Sequence, residues 1–227
     1  RQTLSGKFNA NGSLTPAGLT PSVDFVKQHE LGVKNKGNIG SGRYSVAFSL
    51  LKASFTQSTF ELSATRCPGG AGGCIIDAEF KSEGAEFEGN LQFGGLSLYA
   101  TATYTKAKRK LSGATAFTRA PGMPDLSYFV SANYDFGDIV SVGLSTTGQS
   151  GSVDDGLRVY PGGGVFNGVI RVRPIENLEL AIQGQNLFDK FDFRGNGGIS
   201  DSGVNPAVIG GAPAIGRTFT ASVKYSF

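Results

Sequence analysis

Counting by twos along the chain separates apolar from polar residues over long runs. Leu96, Leu98, Ala100, Ala102 and Tyr104 alternate with Ser97, Tyr99, Thr101, Thr103 and Thr105. Leu126, Tyr128, Val130, Ala132, Tyr134 and Phe136 alternate with Ser127, Ser131, Asn133 and Asp135. Phe166, Gly168, Ile170 and Val172 oppose Asn167, Arg171 and Arg173, while Leu178, Leu180 and Ile182 oppose Glu179, Gln183 and Gln185. The last run sets Phe219, Ala221, Val223, Tyr225 and Phe227 against Thr218, Thr220, Ser222, Lys224 and Ser226. A period of two is the signature of strands with one apolar and one polar face.

Both a soluble sandwich and a membrane barrel alternate in this way. The connections discriminate between them. Short linkers (Phe93-Gly94-Gly95, Phe136-Gly137-Asp138, Pro174 to Asn177) alternate with long ones at about 107–124, 148–164 and 189–216. That rhythm predicts an antiparallel up-and-down transmembrane β-barrel with tight periplasmic turns and extended outer loops. It also places the C-terminus on the periplasmic side. The polar faces agree. Asn133, Arg171, Arg173, Glu179 and Gln183 are predicted to face a wet lumen, whereas in a dry sandwich core their unpaired charges would cost several kcal/mol.

About nine strands are expected after Ser22, with a stub near Leu4 to Phe8. Two stretches are irregular. The run from Tyr44 to Arg66 is long for one strand and carries Lys52, Ser54 and Thr56 where apolar residues are due. It reads either as one projecting strand or as two strands turning near Lys52. Between Ile75 and Phe93 the apolar parity flips at Glu83-Gly84, as a bulge would cause.

Composition narrows the alternatives. The 227 residues include 34 glycines and only 17% charged residues, which fits many turns on a lipid-facing scaffold. No stretch reaches the ~20 apolar residues of a spanning helix. Net charge is only +3, and no basic run is interleaved with aromatics as a nucleic-acid groove requires. The densest basic run, Lys106 to Lys110, reads as a solvated loop end.

The alternating run ending at Phe227, with Phe219, Val223 and Tyr225 upstream, resembles the terminal strand by which the barrel assembly machinery recognises its substrates. A wider resemblance joins it. IENLELAIQGQNLFDKFDF (175–193) followed by GRTFTASVKYSF (216–227) resembles the end of TonB-dependent outer-membrane receptors. HELGVKNKG (29–37), GAEFEG (84–89) and LSLYATATYTKAK (96–108) are similar to that family's earlier strands, in the family's order. The resemblance implies a barrel of about 22 strands enclosing a plug that engages the TonB complex. The chain has room for under half of those strands and nothing resembling a plug. It is therefore expected to be a partial barrel domain over 1–227, reaching the TonB complex only through a plug region outside it. The alternative is a self-contained barrel of about ten strands acting as a passive pore or surface-binding protein. The receptor reading implies outer-membrane lipid around the wall and a scarce small-molecule ligand, of siderophore or oligosaccharide class, taken up through it.

Cys67 and Cys74 flank Pro-Gly-Gly-Ala-Gly-Gly, and outside the cell such a pair is expected to form a disulfide limiting a flexible loop. His29 is the sole histidine, so neither a Ser-His-Asp arrangement nor a zinc site is supported. Asp154-Asp155 and Gly162-Gly163-Gly164 lack the surroundings of an acid pair or a phosphate loop. The expectation is therefore no catalytic residue, no metal and no cofactor; an outer-membrane hydrolase stands as a third class without motif support.

Overall fold

Alternating apolar and hydroxyl or β-branched residues pack well on a pleated surface, and a computed structural model of the chain shows strands where these runs lie. The structure describes residues 4–5, 22–23, 26–61, 74–111, 113–153, 159–191, 193–194, 212–213 and 215–226. Its long strands are β1 (Val26–Ile39), β2 (Gly42–Glu61), β3 (Cys74–Phe93), β4 (Leu96–Leu111), β5 (Leu126–Phe136), β6 (Val140–Gln149), β7 (Gly163–Ile175), β8 (Leu178–Gln185) and β9 (Thr218–Tyr225). Each pairs with its neighbour in sequence, giving the order β9-β8-β7-β6-β5-β4-β3-β2-β1. The pairings from β4 to β9 are antiparallel, as an up-and-down meander requires.

Tight turns at positions 40–41, 94–95, 137–139 and 176–177 alternate with connections at 62–73, 112–125, 150–162 and 186–217. Gly94 and Gly137 adopt φ values of 56° and 63°, the left-handed backbone that lets a two- or three-residue turn close without a Cβ clash. The short stub at the start of the chain is the strand Leu4–Ser5, paired with Ser22–Val23.

Several sequence expectations change in detail. The basic run Lys106 to Lys110 is no loop end. It lies inside β4, where Lys108 and Arg109 pair with Arg119 and Thr118 of the short strand Thr118–Arg119. Backbone pairing, rather than apolar side chains, carries that strand past Thr105. Of the two possibilities for the run from Tyr44, the single long strand is the one found, through Glu61. At Gly84 a Cβ would meet the Tyr104 carbonyl oxygen and come within 3.1 Å of the Thr105 Cα. The missing side chain thus permits a close backbone approach at the parity flip. Finally, β7 runs through Pro174 to Ile175, with a register shift against β8 between Val172 and Ile175. A proline, lacking the ladder N–H, is tolerated at such a bulge.

The chain divides into two compact units. One comprises Arg1–Glu30, Leu51–Glu83 and Lys106–Ala120; the other comprises Leu31–Leu50, Gly84–Thr105 and Pro121–Phe227. The second contains part of every long strand in the order above. Among the described residues the buried hydrophobics are only Ala78, Ala107, Ala120 and Val153, and no large side chain is fully buried. A soluble sheet protein hides one face in a dry core. This fold has none.

Candidate functional site: a polar sheet face

Because directly paired residues share a face, the register sorts the sheet without reference to hydropathy. One row runs Asn133, Gly143, Val169, Gln183, Thr220 across β5 to β9. The next runs Asp135, Ser141, Arg171, Ala181, Ser222. Glu179 pairs with Lys224 on the same face. Asn133, Arg171, Glu179 and Gln183 are therefore on one side of the sheet. Arg173, at the register shift, joins them through Nε, which donates to Glu179 Oε2 at 2.8 Å. Asn133 and Gln183 do not touch. Three strand spacings of about 4.8 Å separate them.

The opposite face carries Leu144, Ile170, Ile182, Phe219, Val223 and Tyr225, all exposed; Ile182 is 60% and Val223 71% accessible. The sheet is thus apolar on an uncovered face and charged on the other, the reverse of a water-soluble fold. Phe219, Val223 and Tyr225 of the expected assembly signal line up on the apolar face of β9. Phe227 and Cys67 lie outside the described residues, as does the side chain of Cys74, whose backbone opens β3. Asp154 and Asp155 also lie outside them.

At one end of the polar face a cavity of about 510 Å³ opens beside the turns at 137–139 and 176–177. Asp135, Asp138 and Glu176 supply carboxylates to its wall, and Arg171 and Arg173 supply guanidiniums. Mixed fixed charge of this kind suits a hydrated surface or a polar peptide segment. It supplies neither a nucleophile paired with a base nor a set of metal ligands. The Arg173–Glu179 pair, with side chains 53% and 29% exposed, orders that end at a gain of at most about 1 kcal/mol.

A second constellation was not evident as a site from the sequence. Asn186, only 3% exposed, takes a φ of 49° just after β8. Its Nδ2 donates to the carbonyls of Lys190 (2.8 Å) and Ile215 (3.3 Å), and its Oδ1 accepts from the Lys190 N–H (2.9 Å). Asn167 Oδ1 accepts the Asn186 N–H at 3.0 Å. Asp189, with φ of 51°, accepts the Arg217 N–H through Oδ1 at 2.9 Å. Leu187 packs over Gly168 and Gly184, and Phe188 meets Phe166 edge-on at 5.3 Å. Asn186-Leu187-Phe188-Asp189 is therefore a clamp holding together the two ends of the 186–217 connection. The available signal was chemical: Asn and Asp are the side chains that best tolerate left-handed backbone while bonding nearby main chain.

With this geometry in hand, comparison with solved structures decides the fold. The chain superposes on the ferric-catecholate import receptor Fiu of Escherichia coli K12 with a TM-score of 0.69 at 18% identity, covering 100% of this chain and 30% of that one. It superposes on the pyoverdine outer membrane receptor FpvA of Pseudomonas aeruginosa PAO1 with a TM-score of 0.68 at 15% identity, covering 100% and 33%. For the iron transporter FrpB of Neisseria meningitidis the TM-score is 0.64 at 17% identity, covering 91% and 31%. The fold is that of a TonB-dependent receptor's barrel wall. The chain spans about a third of the length of these relatives. No protein-family model matches the sequence, and no curated protein does.

Proposed function

We propose that this chain is a section of the barrel wall of a TonB-dependent outer-membrane receptor, resident in the outer membrane of a Gram-negative cell with its C-terminus on the periplasmic side. The single observation that carries the reading is the sheet's inversion. An exposed apolar face suits lipid, and an opposed charged face suits a lumen filled by water and a plug. In that role Asn133, Arg171, Arg173, Glu179 and Gln183 line the lumen, and the barrel assembly machinery handles the β9 strand. Cys67 and Cys74 tether the outer connection between β2 and β3. The TonB complex is reached through a plug region outside these residues.

The ligand is proposed to be a scarce small molecule of siderophore or oligosaccharide class. The relatives' names support the former: one imports ferric catecholates, one is a pyoverdine receptor and one transports iron. The wall is a transport scaffold and no enzyme. Among the described residues β1 and β9 end the sheet without pairing to each other. Open edges are not tolerated in hydrocarbon, which favours a longer wall over a closed ten-stranded pore.

The test has two arms. An antibody against the C-terminal peptide should reveal an outer-membrane band several times larger than 23.7 kDa. Cells carrying the gene should accumulate a labelled ferric chelate or oligosaccharide only while the inner membrane is energised. A band near 23.7 kDa that shifts on boiling, or uptake indifferent to an uncoupler, would replace this proposal with the passive barrel.

A further inference from the structure

Side chains two residues apart on a strand share a face. Lys27 and His29 are so placed on β1, Lys52 and Ser54 on β2, Lys81 and Glu83 on β3, and Lys106 and Lys108 on β4. These four strands are neighbours in the sheet, and neighbouring strands stand only about 4.8 Å apart. The eight residues come together: with Ala53 and Ser82 they line one open cavity of about 390 Å³. All of them belong to the first compact unit.

Charge is unbalanced in that wall. Lys106 is already engaged by another group of the chain. Lys110, two residues beyond Lys108, is paired with Glu79 at 2.8 Å. Lys81 Nζ stands 4.3 Å from the Phe117 ring centroid, a contact that holds the ammonium without neutralising it. Among the described residues Glu83 is the one carboxylate lining the cavity. Leaving Lys106 aside, Lys27, Lys52, Lys81 and Lys108 set four positive charges against one negative, an excess of three. Like charges on adjoining strands destabilise a sheet, so an anion seated among them relieves the wall that holds it.

The same wall defines which anion fits. Among the described residues Ala53 is its one apolar side chain; the others carry ammonium, imidazole, hydroxyl and carboxylate groups. An acyl chain or an aromatic ring finds nothing there to lie on. Ser54 and Ser82 bring hydroxyl donors, and ammonium groups bind phosphoryl oxygens through charge-assisted hydrogen bonds. A phosphoryl group carries about −1.5 to −2 charges at neutral pH, so two together carry about −3 to −4 and match the excess. We infer that this cavity binds a soluble solute through a diphosphate group. The site shares no residue with the polar set of β5 to β9.

The test uses the whole protein that carries this chain, in neutral detergent and chelator-treated buffer, titrated calorimetrically with inorganic pyrophosphate. The wild type should bind it at least about tenfold more tightly than orthophosphate, which brings half the phosphoryl groups. A variant carrying Lys27→Gln, Lys52→Gln, Lys81→Gln and Lys108→Gln should bind at least about tenfold more weakly, because four charge pairs are lost. The matching Lys→Arg variant should stay within about threefold of the wild type. So should Lys106→Gln, which removes a lysine already engaged, and Lys34→Gln with Lys36→Gln, which lie outside the cavity. Far-ultraviolet circular dichroism checks that the glutamine variant keeps its strands. If it does not, Lys27→Gln with Lys52→Gln and Lys81→Gln with Lys108→Gln replace it as two double variants, each expected to weaken binding about threefold or more. Unchanged affinity in the folded glutamine variants, equal affinity for orthophosphate, or no pyrophosphate binding by the wild type overturns the inference. Retention of phosphatidic acid from doped micelles without pyrophosphate binding overturns it too, since the site would then be a lipid's.

Discussion

Replacing Asn186 should release the clamp that joins the end of β8 to the start of β9. The side chain makes three hydrogen bonds, at 2.8, 3.3 and 2.9 Å, and is 3% exposed. Asn186→Ala leaves the Lys190 N–H and carbonyl without that partner, and an unmet buried polar group costs about 1–3 kcal/mol. Both bonds are only part-buried, so each is taken toward the low end of that range, and the loss amounts to about 2–4 kcal/mol. The φ of 49° adds about 1 kcal/mol for alanine, a strain glycine escapes. Asn186→Gly should therefore be the milder variant. Asn186→Asp keeps the acceptor but sets a carboxylate against two carbonyl oxygens, so it should be no milder than alanine. Hydrogen exchange of the Leu187 and Asp189 amides, which are bonded to the Phe166 and Asn186 carbonyls, reports opening of the clamp. The hydrogen-bond loss alone should speed exchange roughly 30- to 700-fold. An increase below threefold in Asn186→Ala, or a glycine variant worse than alanine, would refute the reasoning.

The other predictions follow from the two faces and the close backbone approach. Ile182→Arg should destabilise the folded protein in liposomes by about 2–4 kcal/mol, whereas Gln183→Arg, one residue away on the other face, should fall within experimental error; a denaturant titration of each compares them. Gly84→Ala forces a methyl against the Tyr104 carbonyl, backbone that cannot swing aside, and should lower stability by about 1–3 kcal/mol in the same titration. A double-mutant cycle over Arg173→Ala and Glu179→Ala should give a coupling below about 1 kcal/mol that shrinks with added salt, because both side chains are partly exposed.

Strand existence and face were legible wherever side-chain class tracked the backbone period, as from Leu96 to Thr105 and from Leu178 to Gln185. The polar set Asn133, Arg171, Glu179 and Gln183 followed from parity alone, and the ladder register puts them on one face. Legibility ended where backbone and side-chain patterns part. Lys106 to Lys110 has no apolar alternation, yet its main chain stays in a ladder, so hydropathy announced a loop where pairing continued a strand. The extension of β7 through Pro174 was hidden because proline ordinarily signals a turn, and only its place at a register shift admits it. The Asn186 clamp depends on contacts to Lys190 and Ile215, the second 29 positions away, which no local window contains.

The central claim is that one face of this sheet meets lipid and the other meets water. Single cysteines placed along β8 and β9, in a Cys67→Ser and Cys74→Ser background, test it most directly when intact outer membranes are treated with a charged maleimide. The account predicts labelling of Glu179→Cys, Gln183→Cys, Thr220→Cys and Ser222→Cys, and protection of Leu180→Cys, Ile182→Cys, Ala221→Cys and Val223→Cys. Equal labelling of the two sets, or labelling of the second set alone, would contradict it.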